Sequence, residues 1–383
     1  MNRYAPVSLS PGPERSVDSA QPVGERELKY RPDIDGLRAV AVLAVVAFHT
    51  VPDLAPGGFA GVDVFFVISG YLISGIILHS LNRGRFSLLD FYARRAKRIF
   101  PALIVVLLAV WAFGWLILLP DENARLGKHV AAGAGFALNL LAYRESFPYF
   151  GKFNPNPLIH LWSLGVEEQF YLAWPLFIAA IWRFKAARWV MLAVTAASFI
   201  TNVAAARLHP LAAFYLLPTR LWELSAGGLL TCMESGQLKA RHGGQWQPGG
   251  AGLALAASQA AGWAGIALLA LSFWGLNANM TFPGWWALLP SAGALLLLSA
   301  GPASWVNRFL LSRKSMVFIG LISYPLYLWH YPLLAFARIM EWQRFTPLLA
   351  MGAVAVAAGL AILTYKFVER PGNMAKLTRL HVL

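Results

Sequence analysis

The stretch RPDIDGLRAVAVLAVVAFH, Arg31 to His49, decides how the rest of the chain is read. An apolar run from Ala39 to Phe48 lies between an acid-base cluster at one end and a single imidazole at the other. As a helix at about 100° per residue, it brings Arg38 and His49 to one face, about 16 Å apart along the axis. Asp35 falls on that face too, one turn before Arg38. Ionisable groups inside apolar spans are costly and by default functional. Arg38 reads either as a phosphate-binding cation at the mouth of a membrane helix or as a snorkelling anchor. His49 reads either as deep chemistry or as a satisfied polar residue between helices.

Composition supports a membrane setting. The chain has 383 residues, 58% hydrophobic and 13% charged, with a mean hydropathy of +0.55. Soluble domains carry about 25% charged residues, so an all-soluble protein is excluded. A single cysteine, Cys232, excludes a disulfide framework and a thiolate metal cluster. The net charge of +14 would suggest nucleic acid in a soluble chain. Here the basic clusters flank apolar runs, so orientation in the bilayer accounts for them and no nucleic-acid partner is expected.

Ten runs have the length needed to cross hydrocarbon, near 34–52, 59–80, 99–119, 161–182, 189–207, 213–233, 252–275, 285–300, 316–338 and 346–368. A shorter apolar segment, 131–143, is assigned by charge. If it does not cross, the clusters from Arg26 to Arg31, Arg83 to Arg98, Arg183 to Arg188, Lys239/Arg241, Arg308 to Lys314 and Lys366 to Arg379 all share one side. The expectation is therefore an all-α polytopic protein with about ten transmembrane helices and both termini cytoplasmic. Residues 131–160 form a re-entrant or interfacial segment that roofs a site. Residues 1–30 read as a disordered cytoplasmic tail, 31–371 as the membrane domain and 372–383 as a short cytoplasmic tail. No cleavable leader and no domain after the last span are expected.

Other candidates follow from buried charge. Arg95 and Arg98, three residues apart before Pro101, project from one helix face and suit either a phosphate or a membrane anchor. Asp63, near the outer end of the second span, either meets His49 or caps its helix. Gly70 and Ser69 serve close packing. Glu167 and Glu168, followed by Tyr171, point about 100° apart, so at most one should face a given cavity. Arg220 and Glu223 read as an ion pair, and Glu369 as a helix-end cap. His330 lies within a span among aromatic residues and either contacts a substrate glycan or belongs to an interface belt. There is no phosphate-loop, serine-elbow or zinc-helix motif, so metal catalysis has no support.

Five of these stretches, in order, resemble the acyltransferase-3 family of integral membrane O-acyltransferases, which modify lipopolysaccharide, peptidoglycan and other bacterial glycans. They are Arg38-x10-His49, GVDVFFVISGYL (61–72), Arg95-x-x-Arg98, WSLGVEEQFY (162–171) and SYPLYLWHYP (323–332). The resemblance implies a multi-pass protein of the bacterial inner membrane in which Arg38 and His49 are the essential pair. It also makes Arg95 with Arg98 a second motif pair and supplies a third motif's carboxylate from Glu167 or Glu168. The expected reaction carries an acyl group, most simply acetyl, from acyl-CoA to a hydroxyl of a cell-surface glycan or lipid-linked sugar, directly or through a separate extracytoplasmic partner. Arg38, Arg95 and Arg98 would hold the acyl-CoA phosphates, and His49 would act as general base or transient acyl carrier, oriented by Glu167 or Asp63. The rival reading is a flippase for lipid-linked glycans that moves substrate without acyl transfer.

Overall fold

Pro32 opens the first helix, where its missing N–H costs nothing, and α1 runs over Pro32–Thr50. The computed structural model describes residues 30–150, 156–184, 186–242, 250–341 and 345–370. The expected tails, 1–30 apart from Tyr30 and 372–383, lie outside the described residues. Helix α1 is buried along most of its length. It packs against α2 (Gly61–Asn82), α12 (Lys314–Leu321) and α13 (Ser323–Met340), so its polar groups face protein rather than lipid.

Ser87 caps α3 (Leu88–Ile117) by accepting the Asp90 N–H at 3.2 Å. The chain then returns through α4 (Pro120–Ala134), turns at Gly135 to Ala137, and rises again in α5 (Leu138–Arg144). The segment 131–143, expected to be re-entrant or interfacial, is thus two helical pieces broken at this turn. Its tip is irregular, with Phe136 in the left-handed region at φ 54°. Irregular backbone at depth requires internal partners. Gln169, on α6 (Trp162–Ile181), supplies them: its Nε2 donates to the Phe136 carbonyl at 3.0 Å and to Asn139 Oδ1 at 2.9 Å.

The bundle is completed by α7 (Ala187–Leu208), α8 (Pro210–Tyr215), α9 (Leu217–His242), α10 (Gly250–Gly275), α11 (Leu288–Ala300) and α14 (Pro347–Thr364). No strand occurs among the described residues. Helices α2 and α9 cross closely because Gly70 lies on the Leu224 backbone and Gly227 on that of Val67 and Tyr71, with no space for a Cβ at either position.

All ten apolar runs coincide with helical segments, but fewer than ten are apolar enough to count as spans on their own. Among the described residues five qualify: Gly58–Asn82, Leu88–Ile117, Ala187–Leu208, Ala254–Gly275 and Pro347–Glu369. The pair Lys314–Leu321 and Ser323–Met340, bent by 64°, makes a sixth if it is one span. The shortfall has a physical cause. Helices α1, α6 and α9 carry Asp35, Arg38, Glu167, Glu168, Arg220 and Glu223, which lower their hydropathy and face the bundle interior. Helix α11 has only 13 residues.

Candidate active site

One cavity of about 290 Å³ opens between α1, α2, α3, α6 and α13. Arg38, Arg95 and Arg98 line it together with Glu167, Glu168 and Tyr171. Its remaining wall is largely apolar, from Phe65, Phe66, Ile68, Leu72 and Ile99. Arg38 is paired with Asp35 at 3.2 Å and lies in electrostatic reach of Arg98 and Glu167. Glu167 accepts hydrogen bonds from the hydroxyls of Ser69 and Tyr171, which fixes its carboxylate against α2. Ser69 therefore serves this network rather than packing alone. Arg95 Nε and Glu168 Oε1 are buried without a hydrogen-bond partner, the state of groups that await a ligand. Both adjacent glutamates line the one cavity, against the expectation that only one would. The cavity wraps around α6 from α13 to α3 and so meets two of its faces.

At the far end of α1 a second cluster forms. His49 Nδ1 lies 3.1 Å from His330 Nε2, and His49 Nε2 lies 3.1 Å from the Tyr149 hydroxyl. His330 Nδ1 faces the carbonyls of Tyr327 at 2.7 Å and Leu326 at 3.2 Å. Carbonyls only accept, so His330 carries its proton on Nδ1. In neutral rings, His330 Nε2 then accepts from His49 Nδ1–H, and the lone pair of His49 sits on Nε2, directed at Tyr149. Burial raises the Tyr149 phenol well above its usual range and keeps it a donor. Tyr149 belongs to the segment expected to roof the site, and its place over His49 agrees with that reading.

Among the described residues no carboxylate contacts His49; His330 takes that position. Asp63 pairs instead with Arg220, Oδ1 to Nη2 at 3.1 Å, and Arg220 pairs with Glu223 at 3.1 Å as expected. All three are fully buried, and the guanidinium also lies over Phe66, Trp162 and Phe282. Arg220 draws Asp63 toward α9, away from α1. Glu369, expected to cap the last helix, interacts electrostatically with Arg98 and Arg38, and its Oε1 is buried without a partner.

Four residues near His49 escaped the sequence reading as site members. Arg338 donates to the His49 carbonyl at 2.6 Å and closes the end of α1. His160 stacks on Tyr331 with ring centroids 5.2 Å apart. Tyr149 places its hydroxyl 3.1 Å from His49 Nε2. Tyr327 lines the cavity, holds His330 through its carbonyl and donates its hydroxyl to the His160 carbonyl at 2.6 Å. The available signal was histidine in apolar surroundings: His49, His160 and His330 are all buried in this one region.

A helical membrane bundle with a cationic cavity at one end of a buried helix and a paired imidazole at its other end defines an integral membrane protein built around an internal polar site. The chain belongs to the acyltransferase-3 family, whose acyltransferase domain (Acyl_transf_3) matches residues 31–366. It is 31% identical over 359 residues to the O-acetyltransferase OatA of Staphylococcus aureus (strain NCTC 8325 / PS 47), covering 90% of this chain and 57% of that protein. The peptidoglycan O-acetyltransferase OatA of Listeria monocytogenes serovar 1/2a is 30% identical over 355 residues, with 90% and 56% covered. A putative O-acetyltransferase, SAS0844, of Staphylococcus aureus (strain MSSA476) is 28% identical over 362 residues, with 90% and 58% covered. The chain thus spans little more than half the length of these relatives. No solved structure matches it.

Proposed function

We propose that the protein transfers an acetyl group from acetyl-CoA to a hydroxyl of a cell-surface glycan or lipid-linked sugar in the bacterial inner membrane, with both termini cytoplasmic. The observation that carries this reading is the pair of ends on α1, with Arg38 in the cationic cavity and His49 about 16 Å further along the axis. That rise is comparable to an extended pantetheine arm. Arg38, Arg95 and Arg98 hold the phosphates of the donor, and the apolar wall takes its arm. His49 Nε2 removes the proton from the acceptor hydroxyl as that oxygen attacks the thioester carbonyl. The C–S bond breaks, and the departing thiolate takes the proton back from the imidazolium. His330 stabilises that imidazolium by accepting from Nδ1–H throughout. General-base catalysis is favoured over an acyl-histidine because Nε2 already faces a hydroxyl, that of Tyr149, in the position an acceptor would take.

The relatives' names speak for acetyl as the group moved, and one speaks for peptidoglycan as a class of acceptor. The test is turnover of labelled acetyl-CoA by purified protein beside His49→Ala and Arg38→Ala. Label moved or released by wild type alone is the expected result. Full turnover by His49→Ala ends the assignment. Movement of a lipid-linked glycan without acetyl-CoA consumption would favour the flippase reading instead.

A further inference from the structure

A second cavity, of about 510 Å³, lies outside the first, between α3, the tip of the α4–α5 hairpin and α6. Its volume is in the range of about 300–1,000 Å³ typical of small-molecule sites. Phe100, Phe136, Leu140 and Leu172 give it an apolar lining, while Arg95 and Glu168 line it and the cationic cavity alike. Leu140 and Leu172 are exposed, as are Ile104, Leu108 and Leu176 on the same two long helices. Phe100 is about 18 Å along α3 from Leu88, and its ring lies 5.3 Å from that of Phe136. Phe100 is the second residue of the apolar run 99–119 of α3, so the cavity opens at the edge of that run. An opening there, among exposed apolar side chains, admits molecules from the bilayer rather than from water.

The polar end of the cavity narrows the class of occupant. Arg95 Nε and Glu168 Oε1 are both buried and unpartnered, one a donor and the other an acceptor in its ionised state. A hydroxyl satisfies both, accepting from the guanidinium and donating to the carboxylate. The guanidinium has five N–H donors, enough to serve a phosphate in one cavity and a hydroxyl in the other. The hairpin tip holds its left-handed Phe136 by the Gln169 bond, so the apolar wall is built rather than incidental.

We infer that this side cavity binds a hydroxyl-headed membrane amphiphile, such as a glycolipid. Its head lies between Arg95 and Glu168, and its chain runs along Phe100, Phe136 and Leu140 to the lipid. This binding does not rest on the O-acyltransfer reading above, which places the acceptor hydroxyl at His49, at the other end of α1.

The test is photolabelling of the full chain in lipid nanodiscs with a dodecyl glucoside carrying a diazirine on its alkyl chain, for wild type, Leu140→Trp and Leu172→Trp. Both leucines face outward, so tryptophan fills the cavity mouth without entering the bundle. Expected are adducts confined to the peptides around Phe100, Phe136 to Leu140 and Leu172, competed by unlabelled dodecyl glucoside and reduced at least fivefold in the variants. Acetyl-CoA binding in the variants stays as in wild type. Adducts spread evenly over the outer helices and unaffected by tryptophan would overturn the inference. So would labelling competed by a long-chain acyl-CoA but not by the glucoside, which would give the cavity to the donor's chain. Site-confined labelling in a preparation that moves no acetyl would remove the O-acyltransfer reading and leave this inference standing.

Discussion

Replacing His330 by alanine removes the acceptor of His49 Nδ1–H, which lies 3.1 Å away with both rings buried. The N–H is then left inside protein without a partner, at a cost of about 1–3 kcal/mol. At about 1.36 kcal/mol per tenfold in rate, that corresponds to a loss of about 5- to 160-fold in kcat. The loss arises because the proton can move to Nε2 and remove the base from the acceptor, or the ring can rotate to another partner. Affinity for acetyl-CoA should hardly change, since the cationic cavity lies at the other end of α1. His330→Gln is the control: its amide oxygen can accept the same proton, and it should recover most of the lost rate. Steady-state transfer from labelled acetyl-CoA, with kcat and KM separated, reads both variants. An alanine variant with wild-type kcat would refute the donor-acceptor chain from Tyr327 through His330 to His49, and with it the location of the lone pair on Nε2.

Three further outcomes follow from the geometry. Arg98→Ala should raise KM for acetyl-CoA by about 10- to 150-fold with a smaller change in kcat, because it removes a charge-assisted contact of about 1.5–3 kcal/mol from the binding end; an unchanged KM would take Arg98 out of the donor site. Arg220→Leu strands Asp63 and Glu223 as buried, uncompensated acids and should destabilise the protein by about 3–5 kcal/mol, whereas the apolar triple replacement of Asp63, Arg220 and Glu223 should regain much of it; thermal unfolding in detergent decides, and equal melting of the single variant and wild type would contradict the triad. Gly70→Leu should prevent the α2–α9 crossing and abolish accumulation of folded protein in membranes, with Gly70→Ala less severe; a normal yield of the leucine variant would mean that the crossing is not needed.

The sequence was most informative where an interaction is local. Arg38 with Asp35, Arg220 with Glu223, and the common face of Arg38 and His49 all follow from helical spacing, and the structure keeps each of them. The partners of Asp63 and His49 do not follow from it, because each depends on which helices become neighbours. Asp63 finds Arg220 across 157 positions and His49 finds His330 across 281. Helical period could say that Glu167 and Glu168 point to different faces, but not that one cavity would wrap around both. Fewer helices than ten count as spans by length and apolarity for a related reason: hydropathy reports what a helix shows to lipid. Helices α1, α6 and α9 show their charges to one another instead.

The two ends of α1 are joined by more than a shared helix. Tyr327 lines the cationic cavity with its side chain and holds His330 with its carbonyl at 2.7 Å, while its hydroxyl donates to the His160 carbonyl and accepts from Ser163, 2.7 Å away and also in the cavity wall. The wall at the apolar end of the donor cavity is therefore the same piece of backbone that fixes the proton on His330, and through it the lone pair on His49. A group that fills the cavity as far as Tyr327 presses on the element that orients the base. A wide displacement of Tyr327 would cost three short hydrogen bonds at once, so this element is stiff. That stiffness gives a reason for building the orienting partner from histidine rather than a carboxylate. A neutral imidazole locked by two carbonyls directs His49 without adding a buried anion, the buried cation Arg220 being already committed to Asp63 and Glu223.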